Sequence, residues 1–459
     1  MPDSNRAVPR GALRVAVLAD SDTRWKWGAL TARRLGHGPG PGPGPEPHLT
    51  GYLLRGRATP TARQLGEVGV RADRLTEVTC TEFLAELRRE RYDVVVLALV
   101  GGAVQAVLHG ARALWPEPAD RPVLVTGYVG VVYEKLADGL LLRHGADLVL
   151  ANSRHDAERF RAVYGGVGAD ASAVTETALP FLEGAPYEPA GSRAHTVVFA
   201  VQPSVPQGRA DRAYLLRRAA EHARLHPERE VLVKLRSRPG EHTTHLEEFP
   251  YQRLAERVEG GLPANCRLVY GNMGEVLDGA DLLVTVSSTA ALESLHRGIP
   301  TAVLTDLGIR EVLGNHHFLG SGCLASWDQL DAGLLPRGDA GWLAAQGVAG
   351  AGAGAEGAGS VPDPYAAARA RLARLLELRP LPPVAPYYTR ATAPGYLPGI
   401  LARQHLAPDG TPLPGAVREQ GGESRLRRRL RAHVREAARG AYRQGVQRVA
   451  PLIRRLGEL

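Results

Sequence analysis

The sequence predicts an α/β protein of two Rossmann-like domains facing each other across a cleft. Short runs of branched apolar residues recur along the 459 residues, each closing on a polar or glycine-bearing turn. Most are followed by a segment of helical periodicity, the βα alternation of a parallel sheet. A Pro/Gly-rich stretch at 184–191 divides the alternation in two, giving domains over 12–185 and 192–345. A return helix with a Pro/Gly-rich segment is expected over 361–400, and a basic amphipathic tail over 424–459.

Leu13 to Ala19 reads as the opening strand, followed by Asp20-Ser-Asp22-Thr-Arg-Trp25-Lys26-Trp27 and a helix beginning near Trp25. A parallel sheet places this turn at its carboxyl edge, where ligands bind. Asp20 or Asp22 is a candidate general base; the same carboxylates also suit a helix cap. No Gly-x-Gly-x-x-Gly follows the strand, which disfavours a dinucleotide site. Residues 36–47 repeat Gly-Pro and read as a surface insertion. Tyr52 to Gly56 and Arg71 to Thr79 supply further sheet segments, with a helix from Cys80 to Glu90 between the latter and the next strand, Tyr92 to Val100. A helix from Gln105 to Leu114 comes next, then Arg121 to Gly127 as a strand. Tyr128, Tyr133, Glu134 and Lys135 beyond its tip suit an acceptor pocket or a solvent-exposed ion pair. Gly145 to Ser153 and Arg154 to Tyr164 complete the first alternation.

The second domain opens on His195 to Val201, with Gln202, Ser204 and Gln207 in the loop before a helix over Asp211 to Leu225. In Glu230-Val-Leu-Val-Lys234-Leu-Arg236, the two cations share a parity on an apolar strand. They require an anionic partner or an edge position from which to snorkel. Cys266 to Tyr270 is a strand turning at Gly271-Asn272. Leu282 to Val286 is another, and the hydroxyl turn Ser287-Ser288-Thr289 converts it into a helix. None of these three has an acidic residue three positions later, so no capping box occupies the free N–H groups and the turn suits a phosphate. Glu293, one turn on, is placed to accept from a ribose diol. Gly298-Ile-Pro300 ends the helix, and a loop carrying His316 and His317 follows the strand Thr301 to Leu304.

Composition narrows the function. The formal charge is +8, yet 423–459 alone holds eleven arginines against three glutamates, which leaves the body near neutral. That argues against nucleic acid as a partner and for a terminal basic element, one that suits an anionic membrane surface or a peripheral helix packed on its own domain. The three cysteines are far apart in sequence, and His242 and His245 lack a third ligand at metal spacing; no metal site and no cofactor are expected. With no apolar leader, the expected compartment is the cytoplasm, peripheral to the inner face of the membrane.

Val284 to Pro300, with Ala19 to Trp27 and Val233 to Arg236, resembles an actinobacterial family of inferred glycosyltransferases. More distantly the chain resembles the two-domain enzymes that build bacterial sialic-acid and Kdo-containing capsular polysaccharides, over residue 12 to about 380. The resemblance implies a GT-B-like fold and a nucleotide-activated donor, either a CMP-linked acidic sugar or a UDP- or GDP-sugar. It places the donor phosphate at Ser287, Ser288 and Thr289. Where those enzymes carry Lys-x-His-Pro, this chain has Lys234-Leu-Arg236-Ser237, so arginine replaces the histidine.

The expected reaction is therefore metal-independent sugar transfer to a sugar-containing or hydroxyl acceptor. Asp22 or Asp20 would act as base, with Lys234, Arg236, Ser287, Ser288, Thr289, Glu293, Gly271, Asn272 and His316 around the donor. A nucleotide-sugar epimerase or a noncatalytic sugar-binding component of an envelope-polymer complex are the alternatives.

Overall fold

Branched apolar runs become parallel strands wherever helices cover both faces of a sheet, and two such sheets form in the computed structural model of this chain. It describes residues 12–36, 45–56, 58–131, 135–191, 193–238, 241, 247–348 and 363–414. Most of the Gly-Pro insertion, Tyr133, Glu134, His242, His245, most of the Gly/Ala-rich stretch and the basic tail at 424–459 lie outside the described residues.

The first unit takes in the described residues of 12–183, 340–348 and 363–414. Its elements are β1 (Arg14–Ala19), α1 (Asp22–Gly36), β2 (His48–Leu54), α2 (Ala62–Val68), β3 (Arg74–Val78), α3 (Cys80–Arg89) and β4 (Val94–Ala98). They continue with α4 (Gly101–Leu114), β5 (Val123–Gly127), α5 (Leu136–Leu141), β6 (Leu148–Ala151), α6 (Arg154–Gly166) and β7 (Val174–Glu176). The described strands pair in the order β3-β2-β1-β4-β5-β6-β7. In register, Val15 stands opposite Leu49 on one side and Val94 on the other. β4 and β5 are buried along their whole length, as interior parallel strands must be.

Helix approach is set by one glycine: a Cβ at Gly28 would come 2.7 Å from Val17 Cγ1 and 2.8 Å from Ala98 Cβ, so α1 packs directly on β1 and β4. α3 starts on a capping box in which Thr79 accepts from the Glu82 N–H and Glu82 from the Thr79 N–H. α4 begins at Gly101, four residues before the sequence expectation, because its first turn is a Gly-Gly pair whose low helix propensity hides it.

The second unit takes in the described residues of 184–339. It runs β8 (His195–Ala200), α7 (Arg209–Leu225), β9 (Arg229–Lys234), α8 (Tyr251–Ala255), β10 (Cys266–Val269), α9 (Met273–Asp278), β11 (Leu282–Thr285) and α10 (Ala290–Arg297). β12 (Thr301–Leu304), β13 (Leu324–Ala325) and α11 (Trp327–Asp331) complete it. The strand order is β10-β9-β8-β11-β12-β13, all parallel. Its core gathers Val197, Phe199, Leu216, Val233, Val284 and Trp327. At the start of β11, the buried Asp281 carboxylate accepts from Arg193, Tyr187 and the N–H groups of Ala190 and Thr196, tying the segment that enters the unit to its sheet. Burial by itself would raise the Asp281 pKa; Arg193 and the Thr196 N–H outweigh it and hold the carboxyl below its ordinary value.

The chain then supplies α12 (Ala340–Ala345), α13 (Ala366–Glu377) and α14 (Leu397–Ala402) to the first unit. The Pro/Gly-rich stretch after α13 is ordered there by Val384, Leu397 and Leu401, which enter the core beside α4 residues such as Val104 and Leu108. No helix among the described residues is long and apolar enough to cross a membrane.

Candidate functional site

In both sheets the chain runs outward in opposite directions from one central pair, β1 and β4 in the first unit and β8 and β11 in the second. The loops leaving the carboxyl ends of such a pair diverge and leave a crevice, the position at which open α/β sheets bind ligands.

At the first of these points Asp20 bridges the two loops. Its Oδ2 accepts from the Val100 N–H at 2.9 Å, and its Oδ1 accepts from Arg24 Nη1 at 2.8 Å. The carboxylate that sequence reasoning offered as a base is thus engaged in joining the loop after β1 to the loop after β4. Asp22 sits one residue pair on, half-buried in the first turn of α1, where the helix dipole favours its charge. Close by, the buried Arg143 donates to the carbonyls of Gly127, Gly139 and Leu99 and lies 4.0 Å over the Tyr128 ring. Burial lowers its pKa. Tyr128, an expected acceptor contact, is therefore partly covered by a structural arginine.

In the second unit the hydroxyl turn is only partly open. The Ser287 N–H donates to Gln202 Oε1 at 3.0 Å and its hydroxyl to the Leu313 carbonyl at 2.6 Å. The Ser288 N–H donates to Thr285 Oγ1 at 3.2 Å, and Ser288 Oγ accepts from the Ala290 N–H at 3.3 Å. Ser287 is buried, and so is Glu293, at 8% exposure. Ser288 and Thr289 are half-buried, and Thr289 caps α10 without a side-chain hydrogen bond, its backbone being helical at φ −57° and ψ −20° rather than extended.

Lys234 ends β9, which lies between β10 and β8, so the snorkelling-edge alternative does not hold. Its side chain is 6% exposed and Nζ donates to the Leu235 carbonyl at 2.8 Å. Arg236 lies past the strand end and is half-buried. Gly271 adopts φ 105°, and Asn272 caps α9 by accepting from the Gly274 N–H at 2.8 Å. His316 is half-buried in a 3-10 turn over Asn315–Phe318, which Asn315 pins by donating to the Leu304 and Gly308 carbonyls.

Two residues that sequence reasoning missed organise this edge. Arg212, 1% exposed, donates to the carbonyls of Gln202, Pro203, Pro206 and Phe249 and pairs with Glu247. It thereby fixes the loop whose Gln202 side chain meets Ser287. Burial pushes the Glu247 carboxyl up to about 7, against the opposing pull of Arg212, Ser237 and Arg236. The only sequence signal for either was a charged residue on a helix or loop, which ordinarily denotes solvent.

A model of the family described as "Putative glycosyltransferase (DUF6716)" matches residues 15–357. No curated protein matches the chain in sequence. Among solved structures, the UDP co-structure of MnaA from S. aureus is 11% identical, covers 80% of this chain and 96% of that chain, and superposes with a TM-score of 0.48. UDP-GlcNAc 2-epimerase from Neisseria meningitidis bound to UDP-GlcNAc is 9% identical over 70% and 89% of the two chains, with a TM-score of 0.42. ADP-heptose LPS heptosyltransferase II from E. coli is 12% identical over 64% and 84%, with a TM-score of 0.35. At these scores the likeness says nothing of substrate or reaction.

Proposed function

The chain belongs to the family described as "Putative glycosyltransferase (DUF6716)", and from that premise we propose that it transfers a sugar from a nucleotide-activated donor to a hydroxyl acceptor. The observation that carries this reading is the strand order of the second unit, whose reversal between β8 and β11 brings Lys234, Gln202 and the Ser288-Thr289 turn to neighbouring strand ends.

A donor phosphate at that crevice would meet the Ser288 hydroxyl and the start of α10, while Lys234 and Arg236 supply positive charge. Those groups stabilise the charge that develops on the phosphate oxygen as its bond to the anomeric carbon breaks. Ser287, bonded to Gln202 and to the Leu313 carbonyl, holds the turn in shape. In the first unit we assign the base role to Asp22, half-buried in the first turn of α1, while Asp20 joins the loops after β1 and β4. Asp22 takes the acceptor hydroxyl proton, the acceptor oxygen bonds to the anomeric carbon, and the nucleotide leaves with the bonding pair.

The test is turnover of UDP-, GDP- and CMP-sugars in the presence of hydroxylated acceptors, followed by mass spectrometry. Release of free nucleotide with the sugar joined to the acceptor, or to water in slow hydrolysis, is the expected result. A sugar inverted at one ring carbon while still nucleotide-linked, or no turnover of any donor, would overturn it.

A further inference from the structure

A second surface of the first unit bears chemistry that donor binding leaves unused. Tyr387, Tyr388 and Tyr396 stand edge to face, with ring centroids 5.3 Å apart in each successive pair and planes at 78° and 74°. The Tyr388 hydroxyl donates to Asp138 Oδ1 at 3.2 Å, and the Tyr396 hydroxyl reaches both oxygens of the same carboxylate, at 3.4 and 3.3 Å. Asp138 occupies the first turn of α5, which the chain enters from the carboxyl end of β5. The group therefore lies at the edge of the sheet where ligands are expected.

The state of these groups suits recognition of hydroxyls. Burial pushes the Tyr388 hydroxyl up to about 12 and raises that of Tyr396, with the Asp138 charge adding in the same direction, so both remain proton donors. Among the described residues these two hydroxyls are the donors to the Asp138 side chain. A carboxylate has about four acceptor positions, and two long O–H bonds leave capacity for further donors. Tyr396 is 42% exposed, a large ring standing in water beside that carboxylate.

We propose that Tyr388, Tyr396 and Asp138 form a platform for a neutral pyranose ring of the acceptor, its C–H face against the Tyr396 ring and two adjacent hydroxyls donating to Asp138. This deepens, and rests on, the transferase reading above. Aromatic rings offer a large contact face at low entropic cost, and a carboxylate pairs with a diol while repelling an acidic sugar.

Saturation-transfer NMR on the full chain tests the proposal, using methyl glucoside, methyl galactoside, methyl mannoside and N-acetylglucosamine as probes and choline as a cationic comparison. At least one sugar is expected to receive saturation, with the effect falling by about fivefold in Tyr396→Ala and in Asp138→Asn, and largely kept in Tyr396→Phe, which preserves the face. No sugar signal in the wild-type chain, equal signals in the variants, or saturation of choline alone would each overturn the platform. Should Asp138→Asn fail to fold, the exposed Tyr396→Ala decides by itself. Calorimetry of the wild-type chain with UDP, GDP and CMP runs alongside: sugar binding without any nucleotide binding would sink the transferase reading and leave the platform standing.

Discussion

Replacing Glu247 by glutamine should alter how the second unit's stability depends on pH. The folded-state carboxyl is raised from 4.5 to about 7, chiefly by burial, with Arg212 acting against the rise. Because the folded pKa is the higher one, the folded chain still holds this proton between about pH 4.5 and 7 after the unfolded chain has released it. Wild-type stability accordingly falls as pH rises through that window, relative to a neutral isostere. At 1.36 kcal/mol per unit the loss is on the order of 3 kcal/mol, complete only above the folded pKa.

Urea unfolding of the 5-fluorotryptophan-labelled chain isolates the effect, since Trp327 lies in the second unit and the other four tryptophans in the first. Fluorine NMR at Trp327 should show Glu247→Gln gaining on the wild type from pH 5 to about 7 and levelling off by pH 8. Parallel stability profiles across that range would refute the idea that burial outweighs the Arg212 charge at this carboxylate.

Four further outcomes are expected, three from the geometry of the first unit and one from the arginine-rich composition of 424–459. Gly28→Ala should destabilise the first unit by about 1–3 kcal/mol through collision with Val17 and Ala98, visible as a lowered melting temperature; an unchanged melt would mean α1 can shift outward. Asp20→Ala should cost about 0.5–1.5 kcal/mol by removing the acceptor that the exposed Val100 N–H and Arg24 share, whereas Asp22→Asn should keep the melt and suppress transfer. Full turnover by Asp22→Asn would remove it as base. Deleting 424–459 should reduce sedimentation with anionic liposomes while donor turnover persists; unchanged sedimentation would discard the tail as a membrane element.

The alternation of strands and helices is legible in the sequence because interior parallel strands are continuous apolar runs, as in Val94 to Ala98 and Leu282 to Thr285. The turns after them are legible for the same reason. What those turns do depends on strand order, which periodicity does not carry. Gln202 and Ser287 are 85 residues apart in sequence and meet because β8 and β11 pair. Arg212 lies on a helix of charged appearance, yet four backbone carbonyls and Glu247 hold it in the interior. The shared parity of Lys234 and Arg236 has no structural meaning once β9 ends at Lys234. Likewise, Pro and Gly after α13 conceal a segment whose order comes from contacts with distant α4.

The central claim, a nucleotide phosphate held at the β8–β11 crevice, is met most directly by titrating UDP, GDP and CMP into the wild-type chain and into Lys234→Met, which keeps the buried stem and removes the charge. At least one nucleotide should bind the wild type, with affinity at least about tenfold weaker in the variant. No binding of any of the three, or equal affinity in a folded Lys234→Met chain, would contradict it.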